Sequence, residues 1–206
     1  MLNDLHRDVL TEVINMGVGQ GAKSLNTMLS THVILSVPEI KLLNKETIHE
    51  ELSYLKHSSL AIVLLRFSGS IPGQAALLFP PESAMNLVRL LVPEEEQEED
   101  SDLDSMRSEA LTEIGNIVLN NVMGNFSNFF HLSMEYSLPD FLFEADINDF
   151  LESGALDEGY TIILARTHFD VRKHSIAGDI MLFFGISSLE NMIQLIEQAI
   201  KDQTNR

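Results

Sequence analysis

Several features that point to particular chemistries are missing from this 206-residue chain. It has no cysteine, so a disulfide framework and a cysteine nucleophile are both excluded. Its longest apolar run, LAIVLLRF, is much shorter than a helix that spans a bilayer, and no basic leader with an apolar segment opens the chain. We therefore expect a cytoplasmic location without membrane insertion.

Positive charge is also scarce. The chain has 13 Lys and Arg against 31 Asp and Glu, which gives a net charge of -18. A nucleic acid or an anionic membrane would be repelled over most of such a surface. The composition therefore predicts no nucleic-acid partner and favours a protein partner that offers a basic patch or an essential lysine.

Metal-ligating patterns are missing as well. The seven histidines lack metal-ligand spacing. The segment DSDLDS begins like an EF-hand loop at Asp100, but Ser105 and Leu111 stand where that loop needs glycine and glutamate. We predict no metal site in this chain.

An internal repeat is the strongest pattern that the sequence does contain. At an offset of 101 residues, TEVINMG at 11–17 aligns with TEIGNIV at 112–118, and Pro38 aligns with Pro139. At an offset of 105, residues 70–91 align with residues 175–196. A period near 100 residues indicates a duplicated domain half rather than a solenoid unit. We predict one domain, residues 1–206, with pseudo-two-fold symmetry, whose halves at about 1–92 and 105–206 are joined by an acidic linker, 93–104, too charged to bury.

Each half shows the same order of patterns. A long helical pattern is followed by a short strand that ends at the proline, then by two apolar strands that pair as a hairpin, and then by an amphipathic helix. This order predicts an α+β fold in which two long helices pack on a largely antiparallel sheet.

The segment INMGVGQGAKSLN, residues 14–26, has two interpretations. Gly17, Lys23 and Ser24 have the spacing of a phosphate-binding loop, but Ala22 replaces its second glycine. The matching segment of the second half, VLNNVMGN, keeps a helical period without lysine or serine. We therefore predict a helix in both halves, in which the glycines allow a neighbouring element to pack closely.

A row of polar residues remains on the opposite face of each long helix. An acid, a glutamate and an asparagine recur at positions i, i+4 and i+7, which places them in one line. A glutamate and an amide one turn apart can engage a lysine and orient a water, although a solvated helix face also carries polar residues. We expect both asparagine side chains to be exposed. The rows are Asp8, Glu12 and Asn15 in the first half, and Glu109, Glu113 and Asn116 in the second.

These rows, with a proline 23 residues after each asparagine, resemble the signature of the chemotaxis phosphatases CheC, CheX and FliY. The segments EVINMGVGQGAKSLNTMLSTHVILSVPEI and EALTEIGNIVLNNVMGN are similar to CheC, as are the length and the duplication. The resemblance covers nearly the whole chain except the acidic linker. Two signatures favour CheC over CheX, which carries one and forms a homodimer, and the lack of appended domains disfavours FliY.

The resemblance implies a CheC-like fold and an enzyme that hydrolyses the aspartyl phosphate of a CheY-like response regulator in two-component signalling. In that family the asparagine enters the regulator's active site and orients the attacking water, while the glutamate contacts the regulator's lysine. The phosphatase needs no nucleophile, metal or cofactor of its own, because the regulator binds Mg²⁺. By this resemblance the catalytic residues are Glu12, Asn15, Glu113 and Asn116, and the partner-binding residues are Asp8 and Glu109.

Two alternatives use the same face. One is a non-catalytic signalling adaptor that binds a response regulator or the receptor deamidase CheD, which pairs with CheC. The other is a component of the flagellar switch related to FliY.

Glu109 departs from the family pattern, which has Asp or Ser there, so the outer contact of the second site differs from the signature.

Overall fold

Six helices and seven strands form within the residues that the computed structural model describes, which are 3–29, 32–55, 59–91, 103–152, 160–171 and 174–204. The predicted α+β class is confirmed. The helices are α1 (Asp4–Leu29), α2 (Lys45–Glu51), α3 (Pro81–Leu91), α4 (Leu103–Phe129), α5 (Ile147–Phe150) and α6 (Ile186–Thr204). The strands are β1 (Val33–Leu43), β2 (Leu60–Gly69), β3 (Gly73–Phe79), β4 (Met134–Tyr136), β5 (Asp140–Ala145), β6 (Tyr160–Val171) and β7 (His174–Gly185).

The strands make one antiparallel sheet in the order β1-β6-β7-β3-β2-β4, and β5 also pairs with β2. Both predicted hairpins, β2 with β3 and β6 with β7, are present. The edges are β1 on one side and the interrupted strand made of β4 and β5 on the other. The strand that follows each long helix therefore lies at an edge of the sheet.

The two faces of the sheet carry two separate cores. Successive residues of a strand point to opposite faces. On β2, Val63 and Leu65 belong to the larger core beneath α1 and α4, whereas Ile62 and Leu64 belong to the smaller core. Residues of α3 and α6 complete the larger core, and residues of α2 and α5 complete the smaller one. Both predicted polar rows lie on the layer of helices above the larger core.

The two long helices pack directly against each other. A Cβ atom added to Gly17 would lie 2.6 Å from the Cα atom of Val122, and one added to Gly21 would lie 3.5 Å from the Cα atom of Val118. At Gly17 only a residue without a side chain admits the backbone of α4 at such a distance, whereas at Gly21 a Cβ atom would make an ordinary van der Waals contact. The glycine-rich segment is a helix that packs closely, as predicted, and the phosphate-loop interpretation is wrong.

The division into two halves stays a prediction. Residues 93–102 of the predicted linker lie outside the described residues, and α4 begins at Leu103, inside the range predicted as linker. The strand order supports the duplication, because α1 leads to one edge strand and α4 leads to the other.

Candidate functional site

The row on α1 has the predicted spacing but not the predicted exposure. Asp8 and Glu12 are exposed, whereas Asn15 is half-buried. On α4, Glu109 and Glu113 are exposed in the same way. Asn116 is also half-buried, so the expectation that both amides are exposed is wrong.

Asn15 is covered because its amide is bound to the edge strand β1. Its Nδ2 atom donates to the carbonyl oxygen of Val37 at 3.1 Å, and its Oδ1 atom accepts from the N–H of Val37 at 3.1 Å. Both hydrogen-bonding groups of this side chain are therefore occupied by one peptide segment. In the described structure, Asn15 is a bridge between α1 and β1.

The reason for this bridge is the residue after Val37. Pro38 has no N–H, so it cannot donate to the neighbouring strand. The pairing of β1 with β6 shifts register between Ser36 and Glu39, which leaves Val37 in a bulge. A buried peptide group that leaves the ladder needs another partner, and Asn15 supplies a donor and an acceptor together. The fixed distance from asparagine to proline was the signal for this contact, and it could only be interpreted once the fold was known.

The second half arranges the matching residues differently. Asn116 accepts a hydrogen bond from the amide of Asn120, one turn further along α4. Leu138 stands at the position that Val37 has in the first half, and its carbonyl oxygen accepts from the hydroxyl of Ser137 at 2.8 Å. Asn116 therefore makes no bridge to its edge strand, and its Nδ2 atom has no hydrogen-bond partner among the described residues.

The carboxylates beside the two amides are available to a partner. Neither Glu12 nor Glu113 makes an ion pair with a described residue, and both are exposed. An exposed carboxylate can accept hydrogen bonds from a lysine of another protein. On α4 the row thus offers a free carboxylate and an unpaired amide N–H group side by side.

The two helices that carry the rows are fastened together. The buried side chain of Asn125, on α4, donates to the carbonyl oxygen of Val13, on α1, at 2.7 Å. Val13 lies directly beside Glu12 in the sequence. This bond, together with the close contact at Gly17, places both rows on a rigid helix pair, which favours a site of fixed geometry.

A second polar cluster, which the sequence did not reveal, lies on the opposite face of the sheet. The hydroxyl of Tyr54 donates to Asp179, whose burial raises the pKa of its carboxyl group. The guanidinium of Arg166 lies over the ring of Tyr54, 4.9 Å from its centroid, and donates to Glu51 at 2.8 Å. Lys41 donates to the same carboxylate at 2.7 Å. These bonds tie α2 and the segment after it to the sheet.

Neither a metal cluster nor a membrane helix is found in the part of the chain that the structure describes. No group of three or more His, Cys, Asp or Glu side chains there could hold a metal ion. None of the described helices is both long enough and apolar enough to cross a membrane.

Comparison with known proteins finds similarity to chemotaxis phosphatases. The family model described as chemotaxis phosphatase CheX matches residues 61–153, which include α4 and its edge strand. The CheY-P phosphatase CheC of Bacillus subtilis (strain 168) is 27% identical over 136 residues, which cover 65% of this chain and 64% of that protein. The chain is similar to the CheC, CheX and FliY family. The alignment with CheC leaves about a third of the relative's length unmatched.

Solved structures of the family and of related proteins share the fold. FliY of Thermotoga maritima superposes with a TM-score of 0.74 at 13% identity, over 97% of this chain and 99% of that chain. A chain of the FliG-FliM complex from H. pylori gives a TM-score of 0.66 at 13% identity, over 94% of this chain and 100% of that chain. The CheX-CheY-BeF3-Mg+2 complex from Borrelia burgdorferi gives 0.51 at 19% identity, over 84% and 99%. At these identities the likeness establishes the fold of the CheC, CheX and FliY family alone.

Proposed function

We propose that this protein is a phosphatase for the aspartyl phosphate of a CheY-like response regulator and that its working site is the row on α4. Similarity to the chemotaxis phosphatases CheX and CheC supports the reaction class. The observation that carries the choice of site is the state of the two amides. Asn15 has both of its hydrogen-bonding groups bound to Val37, whereas Asn116 keeps an unpaired amide N–H group beside the exposed carboxylate of Glu113.

The proposed mechanism requires positioning rather than covalent chemistry from this chain. The amide of Asn116 enters the active site of the regulator and holds a water in line with the phosphorus, while Glu113 binds the regulator's lysine. The water attacks the phosphorus, the bond from phosphorus to the aspartate oxygen breaks, and inorganic phosphate leaves. The Mg²⁺ ion that this chemistry uses belongs to the regulator, and it neutralises charge on the phosphoryl group. Fixing the water on a rigid helix pair lowers the entropic part of the barrier.

The outer residues of each row have a supporting role in this proposal. Glu109 and Asp8 lie one turn before Glu113 and Glu12, on the same exposed line. They contact the rim of the regulator's site and favour basic side chains there. The row on α1 keeps the same carboxylates, so it binds a regulator, but its amide acts only after Asn15 releases Val37.

The decisive experiment is the decay of a phosphorylated CheY-type regulator in the presence of Mg²⁺. We expect the wild-type protein to accelerate decay and Asn116→Ala to reduce the maximal rate on the order of a hundredfold, the loss typical for removal of one well-placed hydrogen-bond donor. Asn121→Ala is the matched control, because its amide, on the same helix, donates to the carbonyl oxygen of Ile117 rather than to Asn116. If Asn15→Ala removes the activity and Asn116→Ala does not, the assignment to α4 is wrong.

A second candidate is a binding module without hydrolysis, acting as an adaptor or a flagellar-switch component. The occupied amide of Asn15 favours it for the first half, because a bound side chain contributes nothing to the orientation of water. CheD is a further proposed partner under this reading. The double variant Asn15→Ala with Asn116→Ala separates the two candidates: a phosphatase loses hydrolysis, whereas an adaptor changes affinity and leaves the lifetime of the regulator's phosphate unchanged.

A further inference from the structure

The edge of the sheet formed by β4, residues 137–139 and β5 exposes large apolar side chains. Leu138 is 88% exposed, Phe143 is 54% exposed and Tyr136 is 36% exposed. Single exposed apolar side chains are common on proteins, whereas several along one edge strand are a feature of interaction sites. We call these three residues the apolar edge.

The matching positions of the first half are covered. At the offset of 101 residues, the counterparts of Tyr136 and Leu138 are Leu35, 8% exposed, and Val37, 3% exposed. These two side chains are in the larger core, since α1 lies against β1 and Asn15 holds the strand. The apolar edge is therefore the uncovered version of a surface that the first half buries within the protein.

The apolar edge lies next to the row on α4. A Cβ atom added to Gly115 would lie 2.5 Å from the side chain of Val63, so α4 touches β2 beside Asn116. Val63 pairs with Phe141 on β5, and the ring of Phe141 is stacked on Phe143 at 6.3 Å between centroids. Neighbouring strands are about 5 Å apart, so the edge is one strand away from the contact point of α4.

Two further contacts place the apolar edge on the same face as α4. The hydroxyl of Tyr136 donates to the carbonyl oxygen of Met123, on α4, at 3.2 Å. Phe143 lines an apolar groove of about 330 Å³ together with Met85 of α3 and Leu111 of α4. Leu111 lies two residues from both Glu109 and Glu113, so it points away from the row, and the groove lies on the other side of the helix that carries the row.

We propose that the apolar edge is the docking surface for the receiver domain of the response regulator whose phosphate Asn116 addresses. This inference rests on the proposed function, and it names the residues that bind the substrate protein without taking part in the chemistry. To fit this face, the occupant must present an apolar surface beside its phosphorylation pocket and basic groups around it. The apolar edge supplies the matching apolar area, and the exposed side chains of Glu109 and Glu113 supply a negative rim.

The test measures binding and turnover separately, with a CheY-type receiver domain as the probe. Binding of the beryllofluoride-activated receiver is measured by calorimetric titration, and turnover by the release of inorganic phosphate. We expect Leu138→Ser and Phe143→Ser each to raise the dissociation constant and KM about tenfold, with kcat unchanged, as for a buried interface anchor. Asn116→Ala lowers kcat and leaves the dissociation constant within about twofold.

The matched control is Ile34→Ser, which removes an aliphatic side chain that is 51% exposed on the opposite edge strand. We expect this variant to bind the receiver as the wild type does. The proposal is overturned if Leu138→Ser binds as tightly as the wild type, or if Ile34→Ser weakens binding equally. It is also overturned if sedimentation shows that Leu138→Ser changes only self-association, since the edge then joins two copies of this chain. If Leu138→Ser weakens binding while the wild type hydrolyses nothing, the docking surface stands and the phosphatase proposal fails.

Discussion

Asn15 and Asn116 are the same residue type at matching positions of two long helices, yet they have different partners. The difference originates in the strand that follows each helix. In the first half, Val37 lies in a bulge against α1, and the side-chain amide of Asn15 forms hydrogen bonds with the N–H and carbonyl groups of Val37. In the second half, Leu138 points outward and its carbonyl oxygen accepts a hydrogen bond from the hydroxyl of Ser137. The side chain of Asn116 therefore forms its hydrogen bond within α4, with Asn120. The sequence predicts the same role for both asparagines, whereas the local backbone gives Asn15 a bridge to β1 and leaves Asn116 bonded within α4.

This difference predicts unequal effects on stability. Replacing Asn15 by Ala leaves the N–H and carbonyl groups of Val37 without partners in a covered position, so we expect a loss of about 1–3 kcal/mol in the free energy of unfolding. Replacing Asn116 by Ala breaks only a bond between neighbouring side chains, so the loss stays within about 0.5 kcal/mol. Urea denaturation of both variants measures this. Equal losses would contradict the bridge.

A second prediction at this scale concerns Asp179. Burial raises the pKa of this carboxyl above its value in the unfolded chain, and the hydrogen bond from Tyr54 and the charge of Arg166 oppose that rise without cancelling it. The folded protein therefore binds the proton more tightly than the unfolded chain, so the contribution of Asp179 to stability is largest in acid and is lost as pH rises from about 4 through the folded pKa. Asp179→Asn keeps an acceptor for Tyr54 and removes the titration.

We therefore expect the stability of Asp179→Asn, relative to the wild type, to increase with pH. Urea denaturation of both proteins in steps from pH 4 to pH 7 measures the difference. The titration of glutamates elsewhere affects both proteins alike, so it cancels in the difference between their free energies of unfolding. A difference that is flat or that decreases with pH would show that Arg166, not burial, dominates the environment of Asp179.

At the level of the elements, the contact between α1 and α4 is the most sensitive to change. Gly17→Ala would place a Cβ atom 2.6 Å from the backbone of Val122, which must move because a backbone cannot rotate away. We expect overpacking to lower the free energy of unfolding by about 1–3 kcal/mol. Gly19 is the matched control: it lies in the same helix, and a Cβ atom there meets nothing within 4 Å. Gly19→Ala is expected to stabilise the protein by up to about 1 kcal/mol, because alanine favours a helix. Thermal unfolding of both variants measures this difference. The prediction is wrong if the two unfolding midpoints shift in the same direction by the same amount.

The elements themselves were largely predictable, and their partners were not. The apolar periods of residues 4–29 and 103–129 give helices, and the runs at 60–69 and 73–79 give a hairpin, since both depend on local pattern. The pairing of β1 with β6 joins residues as far apart as Val33 and Val171, and no local pattern specifies it. For the same reason the row on α4 could be found from its spacing, whereas the bridge from Asn15 to Val37 and the exposure of Leu138 could not.

For the whole molecule, the sheet alternates between the two predicted halves. β1 pairs with β6, β3 with β7, and β2 with β4 and β5, so each half completes the sheet of the other. We predict that a protease site introduced into the linker at 93–104 can be cut without separating the halves. The two fragments should elute together and unfold in one cooperative transition. Fragments that separate in native buffer and keep their own folded structure would contradict this view of the halves.

The pairing of β1 with β6 also has a consequence for how the chain folds. Val33 of β1 is opposite Val171 of β6. During synthesis β1 therefore has no partner strand until another 138 residues have been added. Closing such a distant contact is slow, and an unpaired apolar strand exposed meanwhile is a site for aggregation. Asn15 and α1, which are already made, can hold Val37 during that interval. The bonds between Asn15 and Val37, which keep this amide from a partner protein, would then also protect β1 from aggregation while the chain is synthesised.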